Sequence, residues 1–178
     1  SVYASNFLDF SDTDTQGDKI TGAVGGFGSN LVVFTERAIW TVTGTGGRVG
    51  DILDWNRNRS NAQVGAVSKP SILRVPEGAR YTDPTGQTQE TSRNSLAYMT
   101  PYGDIRLFGS EAFGQADDTI ISVPVKDTFS GFNLAARAAV HAVHDSANHQ
   151  FIWFVPTGTN TVPDKQVVWN YLWGVWYV

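Results

Sequence analysis

The sequence predicts an all-β protein built from blade-like units of antiparallel strands, and three observations carry that prediction. Period-two patterns rich in Val, Ile, Thr and aromatics, cut by Gly, Pro and Asn, run along most of the 178 residues. Aromatics reach 12%, with six Trp, while charged residues reach only 17%, below the roughly 25% usual for globular domains. That balance favours buried sheet surfaces over a charge-rich helical bundle. Finally, an apolar strand, a small or polar turn and then a hairpin recur three times.

The first unit is "ITGAVGGFGSNLVVFTERAIWTVTG", from Ile20. The second starts as "VGAVSKPSILRV" at Val64 and resumes, after a polar excursion, as "SLAYMTPYGDIRLFG". The third is "VHAVHDSANHQFIWFVPTG", from Val140, followed by "KQVVWNYLWGVWYV". Their hairpins begin at Leu31, Leu96 and Phe151, steps of 65 and 55 residues, a period that suits four-stranded propeller blades. In each hairpin two apolar runs flank a turn: "TERA", "TPYGD", or the polar loop from Pro156 to Lys165. Runs apolar on both faces suit strands sandwiched between neighbouring sheets. One all-β region, 1–178, is therefore expected, with units at about 20–63, 64–125 and 138–178. A β-sandwich with three coincidentally similar hairpins is the competing architecture.

Three blades cannot close a ring when propellers typically have four to eight. The expectation is an incomplete ring, completed by other chains or by sequence of a larger propeller, which also covers the apolar strand "GVWYV". The excursion "EGARYTDPTGQTQETSRNS", Glu77 to Ser95, is polar and rich in turn formers, and reads as a surface insertion able to contact neighbours. In "LAARAAVHAV", Leu134 to Val143, the alanines favour a helical first turn and the second half alternates as a strand.

A formal net charge of −4 offers little to neutralise phosphates, which argues against tight non-specific duplex binding. With no cysteine, disulfides, thiolate chemistry and cysteine zinc sites are excluded. No apolar run approaches the roughly 18 residues of a membrane-spanning helix, so no membrane span is expected.

Candidate sites are few. In "DTDTQGDKI", Asp12, Asp14, Gln16 and Asp18 alternate around Gly17 like half of a calcium loop, but Ala23 stands where the bidentate glutamate belongs. His141, His144 and His149 with Asp145 suggest a metal, yet on a strand His141 and His144 point to opposite faces. "GTGGRVG", Gly44 to Gly50, misses the dinucleotide spacing and a Walker lysine. Asp51 with Asp54, or Asp117 with Asp118, are the carboxylate pairs available for glycosidic cleavage, and no "GxSxG" occurs. No cofactor and no catalysis are expected. "DWNRNRSN", Asp54 to Asn61, offers Trp55, Arg57 and Arg59 on a loop, to stack on a sugar or base and pair with phosphate. Tyr81 and Tyr102 are further stacking platforms for a glycan.

The opening "SVYASNFLDFSD", the blade "ITGAVGGFGSNLVVFTERAIWTVTG", the segment ending "LAYMTPYGDIRLFG" and the Trp-rich close "VVWNYLWGVWYV" together resemble the propeller region of phage neck and tail-nozzle proteins. The last motif departs from that family's pattern, with Asn170 where an aspartate is common. The resemblance implies a virion structural protein of the phage tail or neck. Such a protein sits in a ring of its own copies among portal, neck and tail proteins, around a conduit that retains and then passes DNA without sequence-specific binding. It implies no catalytic residue. Two other classes fit an all-β chain: a carbohydrate-binding propeller for host attachment, and a glycan-degrading propeller with two carboxylates in one cleft.

Overall fold

A strand that is apolar on both faces needs an apolar neighbour on each side, and the chain supplies this by layering sheets. The computed structural model describes residues 10, 18–44, 48–49, 52–53, 55–110 and 116–178. In the first sheet, β1 (Ile20–Phe27), β2 (Asn30–Thr35), β3 (Ile39–Thr43) and β6 (Asn56–Arg59) pair antiparallel in that order. The short ribbon of β4 (Arg48–Val49) and β5 (Ile52–Leu53) lies between β3 and β6 in sequence. In the second sheet, β7 (Leu73–Val75), β10 (Ser95–Met99), β11 (Ile105–Ser110) and β12 (Ala116–Ile120) form the same kind of meander. The third comprises β13 (His141–Asp145), β14 (Gln150–Val155), β15 (Lys165–Asn170) and β16 (Val175–Tyr177). All three hairpins singled out in the sequence form the central pair of their own four-stranded sheet.

Alternation along each strand decides which neighbour it meets. Val32, Phe34 and Ile39 of the first sheet pack on Leu96, Tyr98 and Phe108 of the second. Phe34 and Tyr98 lie 5.2 Å apart and Phe27 and Phe108 5.5 Å apart, in tilted pairs. The intervening residues of the second sheet, Ala97, Met99, Ile105 and Leu107, turn the other way onto Phe151, Trp153, Val167 and Trp169 of the third. All of β10 is consequently buried. The "LVVFTERAIWTVTG" hairpin is apolar on both sides for the same reason. Val32 and Phe34 face the second sheet, and Val33, Trp40 and Val42 form a cluster on the outer face with Leu31 and Phe10.

Cross-links hold the layers in register. Trp153 Nε1 donates to the Ser71 carbonyl at 3.1 Å, and Ser68 Oγ donates to the Val140 carbonyl at 2.9 Å. The Arg74 guanidinium reaches back from β7 to the Gly25 and Gly26 carbonyls, where β1 bulges away from β2. In the segment joining the first two sheets, Gly65 runs so close to the β2–β3 turn that an added Cβ would stand 1.8 Å from the Thr35 carbonyl oxygen.

The surface excursion gains a form, and one expectation needs correction. The excursion Glu77–Ser95 is an anchored hairpin of β8 (Arg80–Thr82) and β9 (Thr88–Glu90), with polar turns but a buried base. Ala79 and Thr91 are buried, Arg80 N donates to the Tyr171 carbonyl at 2.7 Å, and Trp169 Nε1 donates to the Arg80 carbonyl at 3.0 Å. Arg57 and Arg59 lie on strand β6 rather than on a loop, because "NRNR" alternates in step with the β3 edge it pairs with. Leu134–Ala139 is a 3₁₀ turn capped by the Asn133 side chain, and the strand begins at His141, close to the split expected from the alanines.

Candidate functional surfaces

A charged cluster at the first junction is built from alternate positions on three strands. Tyr98 of β10 pairs with Arg106 of β11, and Asp118 of β12 lies on the same side of the sheet. Arg106 Nη1 meets Asp118 Oδ2 at 2.7 Å and Arg106 Nε meets Asp104 Oδ2 at 2.5 Å. Thr100 Oγ1 donates to Asp104 Oδ1 at 2.5 Å, and the Tyr98 hydroxyl lies 3.1 Å from Asp118 Oδ2 and 3.3 Å from the Val64 carbonyl. Burial pulls the Arg106 guanidinium down, but its bonds to Asp118 and Asp104 outweigh that and hold it above its ordinary value. Burial, followed by the Asp118 charge, pushes the Tyr98 hydroxyl well above its ordinary range. Two carboxylates clamped on one guanidinium make a strut between β11, β12 and the β10–β11 turn.

Beside this strut, Tyr102, Asp104, Ile120, Ser122, Val123, Lys126 and Phe129 line an open cleft of about 350 Å³. Tyr102, on the β10–β11 turn, is 72% exposed. The turn is tight because Thr100 N donates to the Asp104 carbonyl and Gly103 has φ of 103°. The lining combines two aromatic and two aliphatic side chains with one carboxylate, one ammonium and one hydroxyl.

The other sequence candidates fall in separate places. Asp12, Asp14 and Gln16 lie outside the described residues, as do Asp51, Asp54 and most of "GTGGRVG". Asp18 accepts from Arg37 N at 2.9 Å and from Lys19 N at 3.0 Å, so its carboxylate ties the β2–β3 turn. Trp55 is exposed just before β6, while the Arg57 guanidinium lies 5.1 Å over the Trp40 ring. Tyr81 is half-buried against the core at the base of the β8–β9 hairpin. Asp117 and Asp118 are neighbours on β12, and Asp118 is held by Arg106. No single cleft brings Trp55, Arg57, Arg59, Tyr81 and Tyr102 together.

His141 and His144 do point to opposite faces. His141 stacks on Phe154 at 4.9 Å, whereas His144 lies 4.4 Å from Phe151 and 3.1 Å from the Tyr171 hydroxyl. His149 sits edge-on to Tyr171 in the β13–β14 turn, with φ of 55°. Among the described residues no group of three or more acidic or histidine side chains is placed to hold a metal. No helix among them is long and apolar enough to cross a membrane.

Of the outer face of the third sheet, the sequence flagged only the strand "GVWYV" as needing cover. Of the large apolar side chains exposed among the described residues, Val143, Val175 and Tyr177 lie on this face, Leu172 and Trp173 in the β15–β16 turn, and Val178 just after β16. A usable signal was present in "VVWNYLWGVWYV", where apolar residues occupy both faces of a strand pair.

No family model matches the chain. No curated protein is similar to it.

Proposed function

We propose that this chain is a structural module of a phage neck or tail nozzle, whose three sheets act as propeller-like blades in a multi-chain ring around a DNA conduit. The observation that supports the reading best is the layering of three consecutive antiparallel meanders, the third of which exposes Val143, Val175 and Tyr177 on its outer side. A layered stack of this kind has interfaces as its working surfaces and needs neighbours to complete it. The resemblance of the blade and Trp-rich motifs to neck and nozzle proteins supplies the biological setting, a virion. Few charges and a net charge of −4 suit a wall that lets DNA slide past without gripping it. The test is the mass of the native assembly: a ring of identical chains on purified particles supports the reading, and a lone monomer overturns it.

A second reading, carbohydrate binding for host attachment, is favoured by one feature, the exposed Tyr102 plate over the cleft with Asp104, Lys126 and Phe129. Glycan-array binding that disappears in Tyr102→Ala supports it. For glycan cleavage the cleft offers one carboxylate, Asp104, where the chemistry needs two.

A further inference from the structure

The cleft beside Tyr102 contains a donor that the fold leaves unused. Ser122 lines it and is 1% exposed. Its Oγ accepts the Ile105 amide N–H at 2.9 Å, and among the described residues no acceptor meets its own hydroxyl hydrogen. A hydroxyl donates as well as accepts, and a buried donor without an acceptor is costly. Ile120 and Val123, both half-buried, share the lining with it, so the spare donor has apolar carbon for company.

The aromatic platform is fixed from both sides. Tyr102 N donates to Thr100 Oγ1 at 3.2 Å and Gly103 N donates to the Thr100 carbonyl at 3.1 Å. A Cβ added at Gly103 would stand 3.3 Å from Phe132 Cδ1 and 3.5 Å from Phe129 Cβ, so the turn rests on the segment that carries Phe129 and Lys126. Charge around the cleft balances, with Asp104 and Asp118 against Arg106 and Lys126, which matches a neutral ligand. The Asp104 oxygens, bonded to Thr100 Oγ1 and Arg106 Nε, each keep a lone pair for a ligand hydroxyl.

We infer that this cleft takes an N-acetylated sugar, with the ring on Tyr102, the acetamido methyl against Ile120 and Val123, and the acetamido carbonyl accepting from Ser122 Oγ. An acetamido group joins a methyl to a strong acceptor, and the lining pairs apolar carbon with one spare donor. A plain hexose brings a hydroxyl to the same place and leaves the carbon floor uncovered. At about 350 Å³, near the lower end of the roughly 300–1,000 Å³ of ligand pockets, the cleft has room for one sugar unit. The inference rests on the carbohydrate-binding reading and names the ligand class of that site. One hydrogen bond and one buried methyl together amount to about tenfold in affinity.

Titration and saturation-transfer NMR of the full chain test it, with the methyl glycosides of N-acetylglucosamine and N-acetylgalactosamine set against those of glucose and galactose, alongside a glycan array. The expected result is about tenfold tighter binding of at least one acetylated sugar than of its plain counterpart, with the acetamido methyl the most strongly saturated group. Ser122→Ala cuts that preference to about threefold, the share of the methyl alone. Tyr102→Ala weakens both sugars and keeps their ratio. Ser122→Ala also removes the acceptor of the Ile105 N–H, so if that variant fails to fold, methyl saturation on the unaltered chain carries the test. Equal affinity for acetylated and plain sugars, or saturation confined to ring protons, overturns the inference and leaves the carbohydrate reading standing. Absence of Tyr102-dependent binding to every glycan on the array overturns both.

Discussion

Gly65→Ala tests whether the layering depends on one close backbone approach. The new Cβ would stand 1.8 Å from the Thr35 carbonyl oxygen and 2.7 Å from that of Ala38, both backbone atoms of the β2–β3 turn. Side-chain rotation cannot relieve that contact. The segment must move by at least 1.2 Å to reach the 3.0 Å that real Cβ atoms respect. Such a shift breaks the Gly65 N–H bond to the Glu36 carbonyl (3.2 Å) and strains those of Ser60 N and Oγ to the Ile39 carbonyl (both 2.9 Å). At about 1 kcal/mol net for each bond and about 1–3 kcal/mol for overpacking, the expected loss is about 4 kcal/mol. For a chain of this size that lowers Tm by about 8–16 °C. Urea denaturation followed by tryptophan fluorescence measures it. Gly25→Ala, where nothing lies within 4 Å of the added carbon, serves as the matched control. A Gly65→Ala loss below about 1 kcal/mol, or one equal to the control, would refute the argument.

Other outcomes follow from the polar clusters. Arg106→Met removes the cation that Asp104 and Asp118 share at the first junction and should cost about 2–4 kcal/mol, discounted because Arg106 is partly exposed. Combining it with Asp118→Asn should recover part of that loss in a double-mutant cycle. Hydrogen bonds from Thr85 to Asp83, from Asn148 to Asp145 and from Thr157 to Asp164 hold these carboxyls below their ordinary 3.8. Their contribution is fully present above about pH 3.8 and is lost as pH falls through the folded values. A triple Asp→Asn variant should therefore show a flatter acid limb in a pH series of melts. Replacing the hairpin tip from Asp83 to Gln87 with Gly-Gly should leave Tm within a few degrees. Removing Glu77 to Ser95 entirely should unfold the chain, because Trp169 Nε1 then loses its acceptor at Arg80 and the core loses Ala79.

Much of the candidate site was not legible in the sequence. Alternation placed His141 and His144 on opposite faces, because a side-chain period of two is a property of any strand. It could not place Tyr102 beside Phe129 and Lys126, which come from a separate 3₁₀ segment 27 and 24 residues away. Nor could it show that Asp104 and Asp118 converge on Arg106, since that depends on the β11–β12 register. The excursion's exposure was legible in its polar turns, but its anchoring was not, because the few residues that tie it down, Ala79, Arg80 and Thr91, are scattered among them.

By itself the sequence determined the all-β character, the three hairpins and the two-sided apolar strands, all local consequences of alternation and turn chemistry. Tertiary structure alone decided which faces meet. Apolar residues are interchangeable as hydrophobic surface, and only the packing of Phe34 on Tyr98 and of Met99 beside Trp153 distinguishes a covered face from an open one. The open face fell to the third sheet because the first two junctions consume both sides of the second sheet, which leaves the row from Val143 to Tyr177 without a neighbour within the described chain.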